Sequence, residues 1–300
     1  MYIISFIIFR PLTYVIPFRT YLGLIKILSY LTSPFYYKRK HIAKSIFLLI
    51  GDFSTEQINT VLREGITNVS LFGFMDFYLG RWRPDICEKY VLVEGKEHFQ
   101  QALAEKRGVL LAFTHSNTFN AAFPCLGYVK KICSIVILDS SERLSVSRIH
   151  AKIRERLWES LETVSYTYLN RGEAVSLKVR SMLKEGKIVA ISADGLHAGK
   201  FLSVPFFGKK IQLPTGIFKL STLLGVPILP LFSGFDGKKS VFRVWLGDPI
   251  LSRTPEEAAE AFIDQFQQHL RKYPSHWTGW WRMKLIKDEK GEDVFQIHSI

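Results

Sequence analysis

The first fifty-one residues contain no Asp and no Glu. In all 300 residues there are only three cysteines, Cys87, Cys125 and Cys133, with no CxxC and no metal-ligand spacing. An odd, sparse set of this kind points to a reducing compartment and structural thiols. The eight histidines include no HExxH, so no metal site is expected. The glycines form neither GxGxxG nor GxxxxGK(S/T), which argues against a dinucleotide or P-loop site, and no cofactor is expected. No apolar run reaches the roughly 18–20 uncharged residues of a membrane-spanning helix. No small-residue cleavage site marks a removable signal peptide.

The chain is rich in apolar and basic residues. Hydrophobic residues make up 47% and aromatics 14%, enough for the core of one large α/β domain or two small ones. The formal charge of +13 calls for an anionic partner. Arg10, Arg19, Lys26, Lys38, Arg39, Lys40 and Lys44 supply more than half of it, interleaved with Phe, Tyr, Ile and Leu. An arm that binds nucleic acid is basic and polar. This one is basic and greasy and contains no reading motif, so no nucleic-acid partner is expected. The pattern suits helices lying at an anionic bilayer surface, where each Lys or Arg contributes roughly 1 kcal/mol. Residues 1–50 are therefore expected to be a hydrophobic, basic, membrane-associating helical segment, and residues 51–300 the main domain. The alternative is that the same helices cover the core of that domain.

Ser54 to Gln57 is a capping-box pattern and opens a helix through about Glu64. Val69–Tyr78 is aromatic, fit for core packing or for the wall of an acyl groove. From Tyr90 onward, apolar runs alternate with polar helical stretches. Strands are expected at Tyr90–Val93, Val109–Phe113, Ser134–Leu138, Ser165–Leu169, Ile188–Ser192, Ile228–Phe232 and Val241–Leu246. Helices are expected at Lys96–Lys106, Thr118–Leu126, Arg143–Leu161, Glu173–Lys184, Gly216–Leu224 and Pro255–Arg271. Thr254, Pro255 and Glu257 give the last helix a clear start. This alternation predicts an α/β fold with a largely parallel central sheet flanked by helices.

Val109–Phe113 reads as a strand buried on both faces, and the chain turns polar at Thr114–Asn117. Ligands gather past the carboxyl ends of such strands, which makes His115 a candidate general base, with Asn120 five residues on. Two other strand ends carry polar groups. One has Asn170 and Arg171, leading into a helix with Arg180. The other has Ser192 and Asp194. Beyond them an apolar knot at Ser203–Gly208 ends in Lys209 and Lys210.

In this order the features resemble the lysophospholipid acyltransferase superfamily, and especially its bacterial lipid A late acyltransferase branch. The resemblance rests on His115 and Asn120 in a His-x4-Asp/Glu pattern, Arg171 before a helix, and Gly186 to Asp194. It rests also on Val204–Gly208 followed by Thr215-Gly216, on Gly225 to Pro230, and on Pro274, Trp277 and Arg282. It implies acyl transfer from a carrier-protein thioester to a hydroxyl of lipid A or a lysolipid, at the cytoplasmic face of a bacterial inner membrane. His115, Asn120 and Asp194 would be catalytic, and Arg171, Arg180, Lys209 and Lys210 would hold the substrate. Loop amides after His115, or Arg171, would meet the oxyanion. An acidic carrier would dock on a basic face, for which the helix at Arg143–Leu161 offers Arg143, Arg148, Lys152, Arg154 and Arg156. A solvated face is the plainer reading of those residues.

Asn120 departs from the pattern, because the family places a carboxylate there. Three explanations stand open. Asp194 supplies the charge; the donor is unusually reactive, as a glycyl thioester in the related glycyltransferases of polymyxin resistance would be; or the site is dead and the protein only binds lipid.

Overall fold

The computed structural model describes residues 10–32, 37–78, 81–105, 107–116, 118–138, 162–170, 175–195, 200–288 and 290–297. After a helical stretch at residues 10–15 come α1 (Phe18–Thr32), α2 (Tyr37–Ile50) and α3 (Thr55–Tyr78). The capping box at the head of α3 forms as the sequence predicts. Gln57 N–H donates to Ser54 Oγ at 3.2 Å, and Ser54 N–H donates to the Gln57 side chain at 2.8 Å. The helix does not stop near Glu64 but runs on through the aromatic stretch to Tyr78.

The α/β part follows as α4 (Pro84–Tyr90), β1 (Val91–Glu94), α5 (Lys96–Ala104), β2 (Val109–Phe113), α6 (Phe119–Gly127), β3 (Ile132–Leu138) and β4 (Val164–Asn170). Next come α7 (Val175–Lys184), β5 (Ile188–Ser192), β6 (Phe201–Phe206), β7 (Lys209–Pro214), α8 (Gly216–Leu224), β8 (Ile228–Asp236), β9 (Val241–Leu246), α9 (Pro255–Lys272), β10 (Met283–Lys287) and β11 (Asp293–Ile297). The helix expected at Arg143–Leu161 lies outside the described residues.

Seven strands make the main sheet in the order β1-β9-β8-β2-β5-β3-β4. The five from β8 to β4 are parallel, whereas β9 pairs antiparallel to β8 and parallel to β1. The sequence's strand at Val241–Leu246 is thus the return arm of a hairpin, because the turn after Asp236 is too short for a crossover helix. A second sheet, β10-β11-β7-β6, was not expected. Its β6–β7 hairpin is the apolar knot that ends in Lys209 and Lys210.

At the centre, β2 is buried along its whole length. Leu110 and Ala112 face one core, with α7, α8 and α9. Val109, Leu111 and Phe113 face the other, with α1, α4, α5 and α6. Gly108 turns into β2 at φ +74°, and a Cβ there would lie 2.5 Å from the Leu183 carbonyl oxygen, so only glycine fits.

The N-terminal expectation is corrected here. No helix among the described residues is long and apolar enough to cross a membrane. Phe18, Tyr21, Leu22 and Ile25 of α1 are spent on the domain core, against Tyr78, Trp82 and Phe242. Burying side chains of this size stabilises by about 1.5–3 kcal/mol each. The cations near α1 are used inside the domain too. Lys26 Nζ donates to Gly237 O at 2.9 Å and to Ser240 Oγ at 3.1 Å, and Arg81 lies over the Tyr14 ring. The membrane-associating segment is withdrawn on these grounds. With it goes the placement at a bacterial inner membrane, which rested on that segment.

The cysteines also differ from expectation. Cys87 of α4 and Cys125 of α6 form a disulfide, and Cys133 is free and buried. Their separation of 38 residues makes no recognisable motif in the sequence.

Candidate active site

The parallel strands β2 and β5 end side by side, with Phe113 paired to Ser192. Ala193 N–H donates to Phe113 O at 2.8 Å, carrying the pairing one step past the strands. That step brings Asp194 under the turn at His115. His115 N–H lies 3.0 and 2.9 Å from the two carboxylate oxygens. His115 Nδ1 lies 2.7 Å from Asp194 Oδ1. Facing a carboxylate, Nδ1 carries the ring proton, which leaves the lone pair on Nε2 at the far side of the ring.

Asp194 is 3% exposed and needs its donors. Ser192 Oγ donates to Oδ1 at 3.0 Å and the Trp277 indole N–H to Oδ2 at 2.8 Å. Burial alone would raise the carboxyl pKa. The His115 ring and the N–H donors outweigh burial and hold it at about 2. Trp277 is itself fixed among Phe206, Phe266 and Trp280.

The rest of the turn is pinned from two other elements. Thr278 donates its backbone N–H to His115 O at 3.2 Å and its hydroxyl to the same oxygen. Ser116 Oγ meets Ser233 Oγ of β8 at 2.6 Å, and Thr118 Oγ1 donates to Ser233 Oγ at 3.0 Å. The His115 ring stands edge-on to Phe119 with centroids 6.4 Å apart, and its side chain is 35% exposed. An imidazole held by a buried carboxylate and left partly exposed has the arrangement that a general base uses to activate a hydroxyl.

A sequence model of the bacterial lipid A biosynthesis acyltransferases matches residues 2–285. The chain belongs to that family. Two phosphatidylinositol mannoside acyltransferases of Mycobacterium tuberculosis are also similar. The one from strain ATCC 25618 / H37Rv is 27% identical over 192 residues, which cover 62% of this chain and 57% of the relative. The one from strain CDC 1551 / Oshkosh is 26% identical over the same coverage. The match thus spans a little over half the length of these curated relatives.

Within this acyltransferase family frame, the expected site residues separate. His115 and Asp194 come together. Asn120 is buried in the first turn of α6, and the carboxylate at Nδ1 comes from Asp194 rather than from position 120. Lys209 and Lys210 stand in the second sheet, where Lys210 pairs with Glu292. Arg180 is on the exposed face of α7. Arg171 and the basic stretch from Arg143 to Arg156 lie outside the described residues. Ser192 was in view beside Asp194 at its strand end, whereas Ser233 and Thr278 were not singled out from sequence. Trp277 was in view only within the Pro274–Arg282 ending. Its signal was a tryptophan near a proline, which says nothing of what the indole binds. Among the described residues no group of His, Cys, Asp and Glu could hold a metal.

Proposed function

We propose that this chain transfers an acyl group from a carrier-protein thioester to a hydroxyl of a glycolipid or lysolipid, with His115 as general base. The observation that carries the reading is the 2.7 Å bond between His115 Nδ1 and Asp194. In the step, Nε2 takes the acceptor's hydroxyl proton as its oxygen attacks the thioester carbonyl. The tetrahedral intermediate collapses to an ester and expels the carrier thiolate, which recovers the proton from the imidazolium. Asp194 fixes the tautomer of the neutral ring and stabilises the imidazolium that forms from it. Amides of the turn after His115, or else Arg171, are the groups proposed to meet the oxyanion.

The same bond bears on the donor. Asp194 brings the negative charge that Asn120 lacks, so the base needs no specially activated thioester. This favours a fatty acyl donor over a glycyl one. It also speaks against an inactive lipid-binding role, for which a buried carboxylate held against His115 Nδ1 would be a cost without use.

The test is incubation of purified protein with a fatty acyl carrier or a glycyl carrier, plus lipid A and lysolipid acceptors, with products read by mass spectrometry. Fatty acyl transfer is expected. His115→Ala should lower kcat about 10³–10⁴-fold, and Asp194→Asn about 10⁴-fold by analogy with the serine-protease triad. Transfer of glycine alone would reverse the donor assignment. Full activity in His115→Ala would end the general-base reading.

A further inference from the structure

One face of the main sheet continues past its strand ends into the dyad. Val109, Leu111 and Phe113 of β2 point to that face, and so do Ile188 and Ala190 of β5. Side chains alternate along a strand. Carried one step past the strands, the alternation puts His115, Ser192 and Asp194 on the same side. Val189 and Ala193 go the other way, into the opposite core. Phe113 and Ser192 are paired in register, so the Ser192 hydroxyl comes out beside the His115 turn. After Ile188 and Ala190 this face would take another apolar residue. The sequence puts a hydroxyl there instead.

Ser192 touches both members of the dyad. Its Oγ lies 3.0 Å from Asp194 Oδ1 and 3.2 Å from His115 Nδ1. Nδ1 itself lies 2.7 Å from Oδ1, so the three atoms close a triangle. A hydroxyl has one proton and two lone pairs, and an ionised carboxylate only accepts. The Ser192 proton therefore goes to Oδ1, and an Oγ lone pair faces Nδ1–H. The ring proton is shared between two acceptors, Oδ1 the nearer and Oγ the farther. Trp277 differs, because it serves the other carboxylate oxygen, Oδ2. Gly195 leaves room for the arrangement, since a Cβ there would stand 3.3 Å from Ser192 Oγ and press on the hydroxyl.

The triangle acts on the ring in two ways. The torsion that turns an imidazole is broad by itself. Two acceptors on Nδ1–H narrow it and keep Nε2 aimed outward. The Ser192 proton also weakens the pull of Oδ1 on the ring proton, so that proton stays on Nδ1 when Nε2 is charged. We propose that Ser192 is a positioning residue of the acid–base unit, whose hydroxyl holds the His115 ring in its working orientation and keeps the shared proton on Nδ1. The inference rests on the acyl-transfer reading for what the ring does, but its NMR test needs no substrate.

The test uses the full-length protein. In proton NMR, the Nδ1–H of a carboxylate-bonded imidazole gives a far-downfield signal, assigned here by its loss in His115→Ala. Ser192→Ala leaves Oδ1 as the one acceptor from the ring, so the signal should move further downfield. In acyl transfer the same variant should lose about tenfold in kcat, the worth of a hydrogen bond to a charged group, with KM unchanged within about twofold. Ser192→Thr keeps the hydroxyl on a side chain that suits a strand end, and should restore both signal and kcat. Ser192→Cys fills the same space with a weak donor, so it should behave like the alanine variant. An unmoved signal or an unchanged kcat in Ser192→Ala overturns the proposal. So does full recovery in the cysteine variant, which would make the residue a packing element. A signal that moves as expected, in a protein that transfers no acyl group, would uphold the hold of Ser192 on the ring and count against the acyl-transfer reading.

Discussion

Asp194 shows how one buried charge is made useful. Its oxygens accept from the His115 amide, the His115 ring, the Ser192 hydroxyl and the Trp277 indole. The indole is the donor farthest from the chemistry and the simplest to remove. Trp277→Phe keeps the packing among Phe206, Phe266 and Trp280 but leaves Oδ2 short of one bond. A lost hydrogen bond to a charged group costs about 1.5–3 kcal/mol. Part of that cost should appear as a fall in kcat of about tenfold with little change in KM, because Trp277 is buried and bonds Asp194, and so acts through it. A rise in KM alone would show that Trp277 lines the substrate site instead. The two ends of this network were legible in the sequence for a simple reason. His115 and Asp194 each follow a run of apolar residues that can only be a buried strand, and parallel strands bring their carboxyl ends together. Trp277, Thr278 and Ser233 were not legible as partners, because their bonds span 83, 163 and 115–117 residues of chain. No local pattern records a contact at that distance.

At the level of elements, α6 carries Phe119 and Asn120 at its head and is held by Cys125 to Cys87 on α4. The disulfide closes a loop of 38 residues, for which the chain-entropy account gives about 4 kcal/mol, and typical measured values run from about 2 to 4. Reduction should therefore lower the urea midpoint of the wild type clearly, while Cys125→Ala should start lower and not respond to reductant. Equal midpoints with and without reductant, with two titratable thiols more than the buried Cys133, would mean that the bond does not form in solution. The elements were read unevenly from sequence. Strands with long apolar runs stood out, as did α9 with its capped start. In α3 the aromatic stretch hid a helix that continues past Glu64, since residues such as Leu71, Met75 and Tyr78 are buried in tertiary contacts that override local pattern. The β6–β7 hairpin was read as a knot because Pro205 and the Phe207–Gly208 turn interrupt the alternation that marks strands.

The whole molecule buries two neutral histidines on the side of the sheet that carries α9, and this sets how it meets acid. His276 and His269 stack with Trp245 and Tyr273, and Gly234 lies so close that a Cβ there would be 2.2 Å from the His276 ring. Burial pushes the His276 pKa down to about 3, with Asp236 opposing and Arg243 assisting. Burial, then the proximity of the His276 ring and the Lys272 ammonium, push His269 well below its ordinary value. Both folded values lie beneath the unfolded value near 6.5, so in acid the unfolded chain binds more protons. The stability these rings confer is complete above about pH 6.5 and is lost as pH falls below it, for His276 down to about 3. A ring kept neutral by burial removes at most about 1.4 kcal/mol per pH unit while the unfolded chain binds its proton. The folded pKa of Asp194, about 2 against an ordinary 3.8, adds a further loss below about pH 4. A domain stable by about 5–15 kcal/mol cannot absorb two such slopes for long. Unfolding free energy measured in urea should be flat from pH 8 to 7 and fall steeply between 6 and 4. His276→Phe keeps an aromatic ring in the stack and removes one proton from the balance, so it should roughly halve that slope. An unchanged slope in the variant would mean that His276 is protonated in the folded protein, and that its ring is not shut away from water as described.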